Sequence, residues 1–252
     1  MNRLHESIVD DQFGPRAFAY VTSAVHSSGA DLDAIEALAH EARPPCALDL
    51  GSGGGHVAYR LAPHALRVVA ADISARMLAA VADTASGRGL TNIETRVAAA
   101  ERLPFPDDAF DLLASRFSAH HWGNLHAGLA EARRVLRHGA PAVFVDIVSP
   151  GSPALDTHLQ AVEILRDTSH VRDYALAEWI SALERANFSL RRVTTWRVAI
   201  DFASWIERMA TPGPAVAAIL GLQAAACEAT RCHFAILPDG SFELDAAMIE
   251  AV

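Results

Sequence analysis

Alternating strand-like and helix-like segments, joined by short connections, predict an α/β fold built on a doubly wound, mostly parallel sheet. Two further observations support that class. Runs such as Val143-Phe144-Val145 are apolar throughout, as strands buried on both faces are. A glycine-rich turn, Gly51-Ser52-Gly53-Gly54-Gly55, directly follows the first such run and precedes a helical pattern. The 252 residues suit a single large domain, and a composition 51% hydrophobic and 20% charged is that of a core-forming chain.

The elements follow in order. Phe13-Gly14-Pro15 breaks the first block, in which residues 17–26 and 32–42 have helical patterns; Leu32, Ile35, Leu38 and Ala39 recur at helical spacing. Pro44-Pro45 ends that block. Strands are expected over 46–50, 66–71, 93–97, 110–115 and 142–148, and helices start at His56, Ser74 and Leu125. Ser74 is the N-cap of a helix carrying Met77, Leu78 and Val81 on one face. After Pro150-Gly151-Ser152-Pro153 the pattern changes: helices over 155–166 and 176–186, a strand over 188–200, a helix over 202–209 opened by Asp201, and a helix over 215–229. A last core strand is expected over 232–237, with an Asp239-Gly240 turn before residues 241–244.

Charge and cysteine content limit the function classes. Lys and Arg number 21 against 30 Asp and Glu, a net charge of −9. The pairs Arg133-Arg134 and Arg191-Arg192 are isolated and read as decoration of solvated faces, so no nucleic-acid partner is expected. Three cysteines, no signal-peptide core and no long apolar run point to a cytoplasmic protein without stable membrane insertion. Cys227 and Cys232 with His233 lack paired zinc-ligand spacing, and no metal site is expected.

The glycine turn carries the chemistry. A helix N-terminus presents unpaired N–H groups, and glycines let a ligand approach the backbone. Asp72 ends the next strand, where a carboxylate can accept both hydroxyls of a ribose. A nicotinamide dinucleotide and S-adenosylmethionine both fit that outline. The spacing Gly51-x-Gly53-x-Gly55 departs from the dinucleotide fingerprint. Asp49, just before the first glycine, suits an ammonium rather than a pyrophosphate.

The chain resembles the class I S-adenosylmethionine-dependent methyltransferases, in the subgroup similar to the ubiquinone/menaquinone biosynthesis C-methyltransferases. The resemblance rests on residues 48–55, Asp72-Ile73-Ser74-Ala75-Arg76-Met77-Leu78, the 101–111 stretch, residues 115–122 and residues 131–139. Gln12-Phe13-Gly14, Ala17, Tyr20, residues 23–26 and residues 166–172 extend it to small bacterial methyltransferases of undefined substrate. It implies a Rossmann-like seven-stranded sheet in the order 3-2-1-4-5-7-6 with a helical cap: residues 1–45 as N-terminal cap, 46–150 as cofactor-binding core, and 151–252 as cap insertion with the remaining strands. Asp49, Gly51 and Gly53 would hold the methionine end, with Ser52 also binding the cofactor, Asp72 the ribose, and Ile73 and Met77 the adenine face. The backbone at Ala100 and the Glu101 side chain would lie at the adenine edge. Ser115 would lie beside the transferred methyl, Phe13 would close the pocket and Tyr20 would donate to the methionine carboxylate. Many relatives have Asp where this chain has Ala99, so the adenine amino group needs another acceptor here.

The expected function is methyl transfer from S-adenosylmethionine to a small molecule, with S-adenosylhomocysteine as product and a quinone-precursor-like or aromatic carbon as one candidate acceptor, in a monomer or homodimer. The alternatives are a nicotinamide-dependent oxidoreductase and a non-catalytic S-adenosylmethionine-binding protein. His120 and His121, after the fourth strand, are candidates for a general base, or for a loop cap and a buried hydrogen-bonded residue. Trp122 is a substrate wall or a packing residue. His170, a further base candidate, lies with Arg172 and Tyr174 in the polar 168–174 segment. That segment is a lid over the acceptor, or a solvated loop with Arg172 paired to Asp173 or Asp167.

Overall fold

The computed structural model of the protein describes residues 5–17 and 28–252. The helix expected over 17–26 lies outside the described residues except for Ala17, and so does Tyr20.

Seven strands, β1 (Cys46–Leu50), β2 (Arg67–Asp72), β3 (Ile93–Val97), β4 (Leu112–Arg116), β5 (Ala142–Ile147), β6 (Leu190–Ile200) and β7 (Phe242–Ala251), form one sheet in the order β3-β2-β1-β4-β5-β7-β6. The pairs from β3 to β5 are parallel, and β7 is antiparallel to both β5 and β6. The helices are α1 (His5–Phe13), α2 (Ala30–Ala42), α3 (His56–Leu61), α4 (Ala75–Gly87), α5 (Leu125–Val135), α6 (Pro153–Arg166), α7 (Leu176–Arg185), α8 (Phe202–Met209), α9 (Gly213–Ala225) and α10 (Glu228–His233).

Strand periodicity divides the core into two layers. On one face Ala47, Val68, Leu112 and Val143 meet Leu32 and Ile35 of α2 and Leu78 and Val81 of α4. On the other, Leu48, Val69, Leu113 and Phe144 meet Leu125 and Leu129 of α5 and Trp179 and Leu183 of α7. Each of these large side chains is worth about 1.5–3 kcal/mol when fully buried. A third cluster joins Leu159 and Val162 of α6, Trp205 of α8 and Ile219 of α9 to Phe242 and Leu244 at the start of β7.

Three expectations are corrected. Residues 232–237 are not a strand: α10 runs to His233, and the positive φ of Ala235 (46°) turns the chain away. A short apolar run does not distinguish helix from strand by itself. The last strand is instead Phe242–Ala251, where Ala246, Ala247 and Ala251 sit between two hydrogen-bonded neighbours that override alanine's helix propensity. The helix expected over 215–229 is divided into α9 and α10. Finally, Arg134 does not merely decorate a solvated face. Its guanidinium donates to Leu103 O (3.0 Å), Phe105 O (2.8 Å) and the Glu131 carboxylate (2.7 Å), fastening the segment between β3 and β4 onto α5.

Candidate active site

The turn after β1 is built by its glycines and by the end of β2. The N–H groups of Gly51 and Ser52 both donate to Ala71 O, at 2.8 and 3.0 Å. Gly51 has φ 71°, and a Cβ there would collide with the Ser118 hydroxyl. Gly55 has φ 76° and would place a Cβ 2.8 Å from Val81 Cγ1, so both positions require glycine.

A cavity lies over this turn at the carboxyl ends of β1 and β2. Phe13, Asp49, Gly51, Ser52, Gly53, Asp72, Ile73, Met77, Ala100, Glu101 and Trp122 all line it. Ala99 and Ser115 do not. Ala99 makes an antiparallel bridge with Arg102, and Ser115 lies buried within β4, its Oγ accepting and donating no hydrogen bond among the described residues. Helix α1 closes one side with His5, Val9 and Phe13, which recur every fourth residue and so share a face. Arg76 of α4 holds that helix through Asp10 (Nη2 to Oδ2, 3.2 Å), and His121 O accepts from His5 Nε2 at 2.8 Å.

The two acids of the turn differ in setting. Asp49 is 1% exposed and accepts from Ala58 N at 2.9 Å; burial raises its carboxyl from 3.8 to about 7, against the pull of that N–H. Asp72 is also raised by burial, but it accepts from Gly53 N and Ser74 N, both at 2.9 Å, and these favour its charged form. Ser52 Oγ is buried in the same cavity with no hydrogen-bond partner among the described residues.

A second cavity, of about 680 Å³, lies beside the first. Phe13, Arg116, Phe117 and His121 line both, so the two meet at these side chains. The Phe13 and His121 rings stand edge to face at 5.0 Å. Arg116 is fixed by a buried ion pair with Asp31 of α2. The far walls carry Trp196 of β6, Trp205 of α8, Ile147, Met248 and the side chains of Arg166 and Arg192.

The three candidate histidines come together. The His120 ring is 4.2 Å from His121 and 5.8 Å from His170. His120 Nδ1 is 2.6 Å from Asp146 Oδ1 of β5. Burial alone would lower its basicity, but Asp146, with Asp173 and Glu163 further off, raises it to about 9, so His120 is an imidazolium. Burial and the His120 charge push His121 the other way, and it is neutral. Its Nδ1 lies 3.2 Å from Ser169 O, and its Nε2 lies 3.9 Å from the buried carboxylate of Asp167. His170 is lowered by burial and by the neighbouring charges, and its Nε2 lies 3.0 Å from Gln160 Oε1.

The 168–174 segment is polar yet folded inward. Ser169, His170 and Asp173 are buried, and the backbone N–H groups of Val171 and Arg172 donate to His120 O. Arg172 pairs with Asp156 (3.0 Å) and Glu178 (3.1 Å), not with Asp173 or Asp167. Neither Arg172 nor Tyr174, which packs edge-on to Trp179, lines either cavity. Trp122 lines the first cavity and donates through Nε1 to Ser118 Oγ at 3.1 Å. Cys227 and Cys232 are exposed free thiols, and His233 Nε2 pairs with Asp245.

Sequence reasoning missed Arg116, Phe117, Trp196, Trp205 and the acids Asp146 and Glu163. Asp146 had a signal, a lone acid inside an apolar strand; the others depend on elements far apart in the chain.

Residues 48–144 match the family model described as a methyltransferase domain. The Escherichia coli protein YafE is 44% identical over 197 residues, covering 78% of this chain and 95% of that protein. The Bacillus subtilis methyltransferase YcgJ is 32% identical over 200 residues, covering 79% of each, and its crystal structure superposes with a TM-score of 0.84 over 88% of this chain and 97% of that one. A ubiquinone/menaquinone biosynthesis C-methyltransferase from Geobacter sulfurreducens is 34% identical over 109 residues, 42% of this chain and 43% of that protein. No helix among the described residues is long and apolar enough to cross a membrane.

Proposed function

The chain belongs to the class I S-adenosylmethionine-dependent methyltransferases, and from that premise we propose that it methylates a small molecule with a flat, aromatic or quinone-like body. S-adenosylmethionine is the cofactor, and the residues over the glycine turn fit it. The helix α3 N-terminus, the close-approach glycines and the orphaned Ser52 hydroxyl offer donors to a carboxylate, and buried Asp49 offers a counter-charge to an ammonium. On this reading Asp72 would hold the ribose hydroxyls, Ile73 and Met77 would flank the adenine, and Ala100 and Glu101 would lie at its edge; that all five line the first cavity supports it.

The observation that carries the acceptor assignment is the meeting of the two cavities at Phe13, Arg116, Phe117 and His121. A volume of about 680 Å³ falls in the range for small-molecule sites. Trp196 and Trp205 suit a planar apolar body, and the Geobacter sulfurreducens C-methyltransferase likeness supports a carbon acceptor. The bound cofactor supplies an electrophilic methyl group. The chain supplies alignment across the junction and exclusion of water by Phe13 and α1, with the His121 ring standing against Phe13 where the two cavities meet.

Incubation of the purified protein with methyl-labelled cofactor and a metabolite extract tests this reading. Label recovered in an aromatic or quinone-type small molecule supports it. Cofactor binding with no labelled small molecule would point to the non-catalytic alternative.

A further inference from the structure

The second cavity ends on a cluster that methyl transfer does not require. His120 follows β4, Asp146 lies on β5 and Asp173 lies between α6 and α7; one donor atom from each falls within 4.8 Å of the other two. Asp146 is 3% and Asp173 2% exposed. Buried carboxylates are disfavoured unless cations or donors meet them; His120 Nδ1 meets Asp146 at 2.6 Å, and Asp173 has no such contact at Oδ2. Asp173 Oδ2 accepts no hydrogen bond among the described residues, and the imidazole nitrogen of His170 stands 3.8 Å away.

We propose that His120, Asp146 and Asp173 form a site for a divalent transition-metal ion of the Mn²⁺ or Zn²⁺ type, which binds with release of the His120 proton to solvent. One imidazole and two carboxylates form a mixed donor set that suits such ions better than Ca²⁺, which needs six to eight oxygens. Three protein ligands leave at least one coordination position open. His120 and Asp173 both line the second cavity, with buried Glu163 beside them, so the open position faces its occupant. The support around the ligands is also in place: the N–H groups of His120 (3.2 Å) and Ile147 (2.9 Å) donate to the Asp146 carboxylate and hold its orientation. Ion binding at this cluster is independent of what the second cavity accepts.

The test is a titration of the full chain, stripped with chelator, against Mn²⁺ by the loss of the free-ion paramagnetic resonance signal, and against Zn²⁺ by calorimetry. One ion per chain is expected, with Asp173→Asn and His120→Gln each weakening binding by about 10-fold or more. Circular dichroism verifies that the variants are folded. If either variant fails to fold, Co²⁺ added to the wild-type protein provides the readout: visible absorption bands from a low-coordinate nitrogen–oxygen site are expected. Absence of saturable binding by Mn²⁺ and Zn²⁺, unchanged affinity in both folded variants, or a Co²⁺ spectrum identical to that of the hydrated ion overturns the proposal.

Discussion

Replacing Asp49 by Asn should make the cofactor-free protein more stable and the cofactor complex weaker. The Asp49 carboxyl is almost fully buried, accepts from Ala58 N at 2.9 Å, and is raised by burial from 3.8 to about 7. A group whose folded value lies above its unfolded value keeps its proton longer when folded. Folding is therefore least penalised below pH 3.8, and stability declines as pH rises towards about 7. At about 1.4 kcal/mol per pH unit, the gap from 3.8 to about 7 sets a ceiling of about 4 kcal/mol for that loss. Asn keeps the oxygen that accepts from Ala58 and carries no charge. Denaturant unfolding without ligand should thus show Asp49→Asn more stable than wild type at pH 8, by up to that ceiling, with the gap closing near pH 4. Calorimetry with S-adenosylhomocysteine at pH 8 should show the opposite sign. Loss of a charge-assisted bond to the ammonium costs about 1.5–3 kcal/mol, roughly 10- to 150-fold in dissociation constant. Wild-type affinity should also rise with pH through about 7, as Asp49 ionises. Equal stability of the two proteins at pH 8, or equal affinity for the ligand, would refute the reasoning.

Asp72→Ala should weaken S-adenosylhomocysteine binding by about 1–3 kcal/mol by calorimetry; because Asp72 also receives Gly53 N and Ser74 N, part of that loss comes from a loosened turn. Gly51→Ala, at φ 71° and against Ser118, should lower stability by about 1–3 kcal/mol and abolish measurable cofactor binding, as read by thermal unfolding with and without ligand. His121→Gln should lower turnover on the identified acceptor about 10-fold or more, with cofactor affinity within about threefold of wild type; full turnover would remove His121 from the acceptor side of the junction.

The half of the molecule built from local repetition was legible in the sequence. Strands β1 to β5 fall within two residues of the expected ranges, because buried parallel strands are apolar runs bounded by turns. The glycine turn was legible because only glycine tolerates its backbone and its neighbours. The end of the sheet was not, since β7 is alanine-rich and is a strand only by virtue of β5 and β6 on either side. The 168–174 segment was misleading for a related reason. Its polar residues suggest solvent exposure, yet Ser169 bonds Asp167, His170 lies against Gln160, and the segment folds inward on His120. The second cavity unites Asp31, Arg116, Trp196 and Trp205, residues from four elements whose proximity no local pattern encodes.

A crystal structure with S-adenosylhomocysteine measures directly where the transferred methyl group is presented. The ribose should lie at Asp72 and the sulfur should face the junction of Phe13, Phe117 and His121, open to the second cavity. A sulfur turned away from that junction, or a cofactor bound elsewhere, would contradict the account.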